Sequence, residues 1–418
     1  IRGDEDLPEG TVAVLTSGSV DVLSHVAIRA RNQGILLATC YDEETFEKLR
    51  SWGGRFMDVG IGAAGDVRVE SAGEWTIRSG TGHREPVRFV QSPIPKAADA
   101  PYAITGEEFK EGWVGGKSLH LKQLRGRLPD WIGLPVSVAL PFGTFEKILS
   151  ATAGEEIRRR YEGLSSQVTR DPKVLEELRQ TVMEMVEPED FDRGLREVME
   201  HAGLHPASNK ERAWECIKSV WASKWNDRAY YNRTARGIPH ENLLMAVLIQ
   251  EVVPAKYAYI VHTVHPFSGN AEEVYAEVVL GLGETLAGNH PGRALGSVWH
   301  KTSGASRLLN FPSKSIGLYG GGLIFRSDSN AEDLAGYAGA GLYDSFPLTP
   351  PEEVHINYAD DPLVQDRAFR REFLLRVGKL GVLVEEAMGS PQDIEGAFDG
   401  KRYYVVQTRP QVGLRGQA

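Results

Sequence analysis

Short apolar runs separated by glycine and polar turns open the chain. Residues 11–15 and 35–39 read as buried strands on either side of a helix-like stretch over 21–32, which predicts a β-α-β unit. Residues 42–50 predict a second helix with an acidic first turn, and 55–59 and 67–70 alternate as strands do. The segment 91–101 carries Pro93, Pro95 and Pro101 with little apolar content, the pattern of a linker. Beyond it, 150–236 is mostly helical in composition, and Trp214, Trp221 and Trp225 at spacings of 7 and 4 form a packing stripe. Strand-like runs follow at 244–250, 257–261, 274–279 and 323–325, then a helix over 367–377 and a last strand over 402–408. The expected division is therefore 1–90, a linker at 91–101, and 102–418.

Composition narrows the class. A chain of 418 residues with 41% hydrophobic and 25% charged residues is ordinary for a globular protein of several domains. The net charge of −10 speaks against nucleic acid as a partner. Two cysteines, Cys40 and Cys216, are too few for a disulfide framework, so a reducing compartment is expected and secretion is not. No run of 18 apolar residues is present, so no membrane span is expected. The chain starts at Ile1 without a signal or transit pattern, which reads as a fragment or processed product lacking an N-terminal extension. Nothing in the pattern specifies an oligomeric state.

The candidate chemistry starts at His25. The turn Thr16-Ser17-Gly18-Ser19 leads into the helix-like stretch, and the imidazole falls near its first turn, where unpaired N–H groups favour an anion. Arg29 follows at i+4 on the same face, while Arg31 falls on another. An anion-friendly helix end with a guanidinium beside it is what a phosphoryl-carrying histidine requires. Gly115-Gly116-Lys117-Ser118 is not a P-loop, because Glu111 stands where its first glycine belongs, yet Lys117 at a helix start suits another phosphate loop. Arg326 ends an apolar strand and opens Ser327-Asp328-Ser329, a setting for bidentate phosphate binding or for a salt bridge to Asp328 or Asp333. The glycine-rich run 337–341 could cover phosphates. Residues 393–410 read as a hairpin. A two-residue Asp399-Gly400 turn would put Glu395 and Gln407 on opposite faces, whereas a three-residue loop with a bulge at Gly400 aligns Asp393, Glu395, Gln407 and Arg409. The second register gives those polar groups a common purpose: oxygen ligands for Mg²⁺ and a guanidinium for phosphate.

These pieces together resemble the α-glucan, water dikinases, the starch-phosphorylating enzymes, over nearly the whole chain. The resemblance is carried by Asp21-Val22-Leu23-Ser24-His25-Val26 with Ile28-Arg29-Ala30-Arg31-Asn32, by Val114 to Ser118, Val136 to Gly143 and Arg326 to Asn330, and by Gln407-Thr408-Arg409-Pro410-Gln411. It implies an α/β multi-domain fold: a swivelling β/α phosphohistidine domain and an ATP-grasp-like nucleotide domain with a helical subdomain. It further implies ATP and Mg²⁺ as cofactors, with Lys117, Arg326 and Arg409 on phosphates, Glu395 and Gln407 on Mg²⁺ with Asp393 nearby, and Gln250, Glu251 and Val253 in the strand facing adenine.

In the implied reaction His25 takes the β-phosphate of ATP and passes it to a glucosyl hydroxyl of starch-like α-glucan, at C6, with AMP and phosphate released. A plastid or cytoplasmic location follows. Pyruvate-handling relatives place the histidine domain after the ATP domain, the reverse of the order here, which weakens a small-acceptor dikinase as the alternative. A phosphohistidine carrier or nucleotide sensor is the third reading. The run Leu36-Leu37-Ala38-Thr39-Cys40 lacks the first cysteine of the plant Cys-Phe-Ala-Thr-Cys element, so control by that dithiol is not expected.

Overall fold

Strand Ala13–Thr16 runs parallel to Leu36–Thr39, and helix His25–Gln33 is the crossover between them. The helix begins where Ser24, in an extended conformation, turns its hydroxyl to the Ala27 N–H (3.4 Å), and it ends at Gly34 in the left-handed region. Helix Glu43–Ser51, capped by Asp42, and the hairpin of Met57–Ile61 with Val67–Ser71 follow. The computed structural model describes residues 10–61, 66–72, 101–151, 155–169, 171–206, 208–235, 237–332 and 341–412. Every element expected between 11 and 70 forms, whereas the expected linker over 91–101 lies outside the described residues but for Pro101.

The larger part is built on two sheets. One is seven-stranded, in the order Ser306–Asn310, Leu295–His300, Glu273–Leu280, Tyr257–His262, Gln392–Phe398, Tyr403–Pro410, Ile132–Gly133. Its two faces have different occupants. Tyr257, Tyr259, Val261, Val274, Ala276 and Val278 pack under helix Arg367–Met388, while the alternate positions Ala258, Ile260, Tyr275 and Val279 receive Leu23 from the N-terminal unit. That helix runs well past the expected end at 377. Gly378 and Gly381 are packing positions, not stops, since a Cβ there would lie 2.7 Å from the Trp299 ring and 3.1 Å from Val261.

The other sheet is five-stranded, in the order Ser345–Pro347, Gly322–Ser329, Met245–Val252, Ser137–Leu140, Ile104–Thr105. Five helices between Glu155 and Ala235 cover it, and Trp214, Trp221 and Trp225 sit in one core with Val138, Val247, Ile249 and Phe325. The tryptophan stripe is packing, as its spacing implied. The architecture is mixed α/β with several sheets, and polar side chains join its two large sheets. Arg326 and Gln250 of the five-stranded sheet reach Glu395, Gln407 and the Val406 carbonyl of the seven-stranded one.

Candidate functional site

His25 is the first residue of its helix, with Arg29 one turn on. Both side chains converge on Gly341, the described end of the glycine-rich run; the rest of that run, 337–340, lies outside the described residues. A Cβ at Gly341 would sit 2.9 Å from an Arg29 guanidinium nitrogen and 3.4 Å from His25 Nδ1, and its φ of +66 is one that glycine adopts without strain. Burial pushes the His25 imidazole down to about 4. The Glu395 carboxylate opposes that shift, and Arg409 and Arg29 reinforce it. The ring is therefore neutral, and nucleophilic, at physiological pH.

The cluster that sets this charge comes from the hairpin Gln392–Phe398 and Tyr403–Pro410. Asp393 pairs with Arg409, and Glu395 with Gln407, so all four share one sheet face, as the second register requires. The route to that register differs from both expected turns. Phe398 pairs with Tyr403, leaving the four residues 399–402 at the tip, and the pairing then slips by one next to Gly396, which restores the common face. Gly396 has the reason in its environment: a Cβ there would meet the Tyr259 ring at 2.1 Å. A glycine inside a strand pattern is the signal that marks such a bulge.

Two sub-clusters occupy this face. In the first, Arg409 grips one Asp393 oxygen through Nε (2.9 Å) and Nη2 (2.8 Å). The other Asp393 oxygen lies 3.4 Å from His262 Nε2 and has no hydrogen bond. Burial alone would raise the Asp393 carboxyl, but Arg409 and then His262 overcome it and hold the group well below the carboxylate range. His262, buried in strand Tyr257–His262 opposite Asp393, was not singled out in the sequence; its place across from Asp393 is set by a pairing between strands more than a hundred residues apart. In the second, the Arg326 guanidinium donates to Gln407 Oε1 (2.5 Å) and Gln250 Oε1 (3.2 Å) and lies 3.4 Å from Glu395 Oε2.

Oxygens of Glu395 and Gln407 thus already meet a single positive centre. A carboxylate and an amide oxygen beside polyphosphate are donors that suit Mg²⁺, which keeps most of its water. Asp393 is committed to Arg409, and the described residues hold no group of three or more His, Cys, Asp or Glu arranged for a metal. The donor set fits an ion shared with phosphates better than a closed protein cage.

The structure does not bring Lys117 into this cluster. Its Nζ lies 2.5 Å from Glu332 and 2.8 Å from the Ser327 carbonyl, with the side chain 9% exposed. The N-terminus of helix Gly116–Leu124 is filled by a side chain of the protein itself: Asp328 accepts from the Gly115 N–H, the Lys117 N–H and the Ser118 hydroxyl (3.0, 3.0 and 2.6 Å). Arg326 makes no ion pair with Asp328, so the salt-bridge alternative for it fails there, while Asp333 lies outside the described residues. Gln250 turns its amide toward Val406 and Arg326, Val253 is buried beside Ala255 and Ala397, and the Glu251 N–H is taken by the Val136 carbonyl at 2.9 Å.

Comparisons with known proteins bear on the same residues. Residues 1–76 match a family described as "Alpha-glucan water dikinase, phosphohistidine-like domain", and 204–290 one described as "Pyruvate phosphate dikinase, AMP/ATP-binding domain". The chain is 42% identical, over 99% of its length, to "Alpha-glucan water dikinase, chloroplastic" of Citrus reticulata and to "Alpha-glucan water dikinase 1, chloroplastic" of Arabidopsis thaliana. It covers 29% and 30% of those two proteins. A "Probable phosphoenolpyruvate synthase" of Staphylothermus marinus is 27% identical over 61% of the chain, which covers 30% of that protein. Among the described residues no helix is long and apolar enough to cross a membrane.

Proposed function

Because this chain is a relative of the α-glucan water dikinases, similar along almost its whole length to just under a third of theirs, we propose that it carries the phosphotransfer centre of such an enzyme. His25 attacks the β-phosphorus of ATP; the bond to the α-phosphate breaks and AMP leaves. Water removes the γ-phosphate as inorganic phosphate, and the phosphoryl group left on His25 passes to a C6 hydroxyl of an α-glucan. The observation that carries this reading is the meeting of His25 and Arg29 at Gly341, beside Glu395 and Arg409.

The chain's own groups divide the work. The neutral His25 ring supplies the attacking lone pair, and Arg29, Arg326 and Arg409 balance phosphate charge by directed hydrogen bonds. Glu395 and Gln407 would hold Mg²⁺, which supplies further charge neutralisation on the phosphates when bound. Lys117, paired with Glu332 and donating to the Ser327 carbonyl, ties the Arg326 strand to helix Gly116–Leu124. Gln250 and Glu251 in strand Met245–Val252, and Val253 just past its end, would face the adenine. The reading divides the chain into a swivelling unit over 1–90, a tether over 91–101 and an ATP-grasp-like unit over 102–418. A plastid location is favoured over the cytoplasm by relatives whose names say "chloroplastic".

The test is label transfer from ATP carrying a labelled β-phosphate. Acid-labile label is expected on the wild-type protein and not on His25→Ala, and it should move to starch granules when the full-length protein is supplied. Label that never forms, or that persists in His25→Ala, overturns the reading. Label that forms but stays on the protein with glucan, and with pyruvate leaves at once, would mark the small-acceptor dikinase instead.

A further inference from the structure

The three residues before Ser24, the cap of the His25 helix, make an attachment that the chemistry above does not use. Asp21, 4% exposed, directs one oxygen to Lys314 Nζ at 2.6 Å and the other to the Ala294 N–H at 2.8 Å. Its own N–H donates to the Asn289 side chain at 3.1 Å, and Asn289 is the one non-glycine residue of the described chain in the left-handed region (φ 52). The Val22 and Leu23 N–H groups donate to the two oxygens of Glu277, at 3.0 and 2.9 Å. The Leu23 side chain is fully buried among Ile260, Tyr275, Val279 and Leu286.

We infer that Asp21-Val22-Leu23 is a docking plug, and that Glu277, Asn289 and Lys314 form the socket that positions His25 over the nucleotide cluster. The inference rests on the function proposed above, and it concerns residues that touch neither nucleotide nor acceptor.

Three physical features support it. The socket is arranged in advance: Lys314 Nζ is also held by the carbonyls of His290 and Gly292, and Glu277 by the Tyr275 hydroxyl at 3.1 Å. The plug is coupled to the nucleophile without slack, because Ser24 donates through both its N–H (3.2 Å) and its hydroxyl (2.8 Å) to the Asp21 carbonyl while capping the His25 helix. Arg31 closes the arrangement by donating to the Val22 carbonyl at 3.1 Å. Finally, the attachment is one that can let go. A buried ion pair and carboxylate-bound N–H groups lose in desolvation much of what they gain in attraction, so they fix register more than they add affinity. Water would resolvate Asp21, Lys314 and Glu277 on release, which suits a histidine that must meet two partners in turn. Glu277 shares its sheet face with Tyr275 and Val279, so the same face that carries Asp393 and Glu395 carries the socket.

The experiment uses Lys314→Met and Asn289→Ala in the full-length protein. The rate of His25 labelling at saturating ATP is expected to fall at least tenfold, with nucleotide affinity, read by titration with a fluorescent ATP analogue, unchanged within twofold. Asp21→Asn combined with Lys314→Met should be no slower than the slower single variant, because both remove one link. Discharge of already labelled protein to glucan should keep its wild-type rate. Hydrogen exchange gives a readout independent of the chemistry: the Val22 and Leu23 amides should exchange at least tenfold faster in either variant. Wild-type labelling rates at intact ATP affinity overturn the inference, as does unchanged exchange in both variants. An unlabelled wild-type protein overturns the function proposed above, and the exchange measurement then decides the docking by itself.

Discussion

His25 is held neutral by its surroundings, and that makes a sharp expectation. Its folded value lies near 4 against an ordinary 6.5, because burial and the Arg409 and Arg29 guanidinium groups outweigh Glu395 and Asp393. The sign follows directly: the imidazole binds its proton less readily in the fold than out of it. The folded arrangement is therefore favoured in full above pH 6.5 and loses that share as pH falls toward 4. In a histidine NMR titration of the nucleotide-free protein, His25 should stay unprotonated down to pH 5.5 while exposed histidines titrate; a midpoint near 6.5 would contradict the burial described. Arg326 gives a second expectation. Its guanidinium reaches Gln250, Glu395 and Gln407 at once, a fork that an ammonium does not reproduce. Arg326→Lys should weaken ATP binding by about 1.5–3 kcal/mol, the worth of a charged hydrogen bond, in a calorimetric titration. At this scale the placement of His25 at its helix start with Arg29 one turn on was legible, since capping and helix period are local. Lys117 was legible only as a helix-start lysine. Its partner Glu332 lies 215 residues away, and no local pattern carries that pairing.

Among elements, the carboxyl-terminal hairpin and the long helix carry the lessons. The common face of Asp393, Glu395, Gln407 and Arg409, expected from the shared purpose of these polar groups, is present, although through a turn different from both expected ones. A slip beside Gly396 restores a face that the tip loop would otherwise reverse, because side chains alternate with period two. Gly396→Ala should therefore cost at least about 1–3 kcal/mol, the penalty of forcing extra atoms into a packed site, in denaturant unfolding. A variant as stable as the parent would show that the bulge tolerates a Cβ. Helix Gly116–Leu124 yields another test. Asp328 satisfies two of its N-terminal N–H groups and the Ser118 hydroxyl inside the core. Asp328→Ala leaves these donors unpaired and should destabilise by about 1–3 kcal/mol for each, so that thermal unfolding shifts down sharply. The long helix continues past 377 because Gly378 and Gly381 let Trp299 and Val261 approach its backbone.

At the scale of the molecule, the arrangement joins three bodies of side chains: a small β-α-β unit carrying His25, a seven-stranded sheet carrying the carboxylates, and a five-stranded sheet carrying Arg326. In the proposed function, nucleotide bound among them would tie all three together. At a concentration a hundredfold above its dissociation constant, ATP with Mg²⁺ should add about 2.7 kcal/mol to stability and raise the unfolding temperature. Glu395→Gln should make that rise insensitive to whether Mg²⁺ is present; an unchanged Mg²⁺ dependence would remove Glu395 from the metal's ligands.

The amino-acid order alone determined the local content of this protein: the crossover helix with its histidine at the first turn, the tryptophan-lined helical region, and the alternating strands of the final hairpin. Each follows from periodicity, capping or strand alternation, which act over a few residues. Only the tertiary structure decided that Leu23 enters the sheet face beside Glu277, that His262 stands opposite Asp393, and that Asp328 fills the helix end beside Lys117. Those choices depend on which buried charges find partners across long stretches of chain. That is a competition between desolvation and pairing, and it is settled only when the sheets come together.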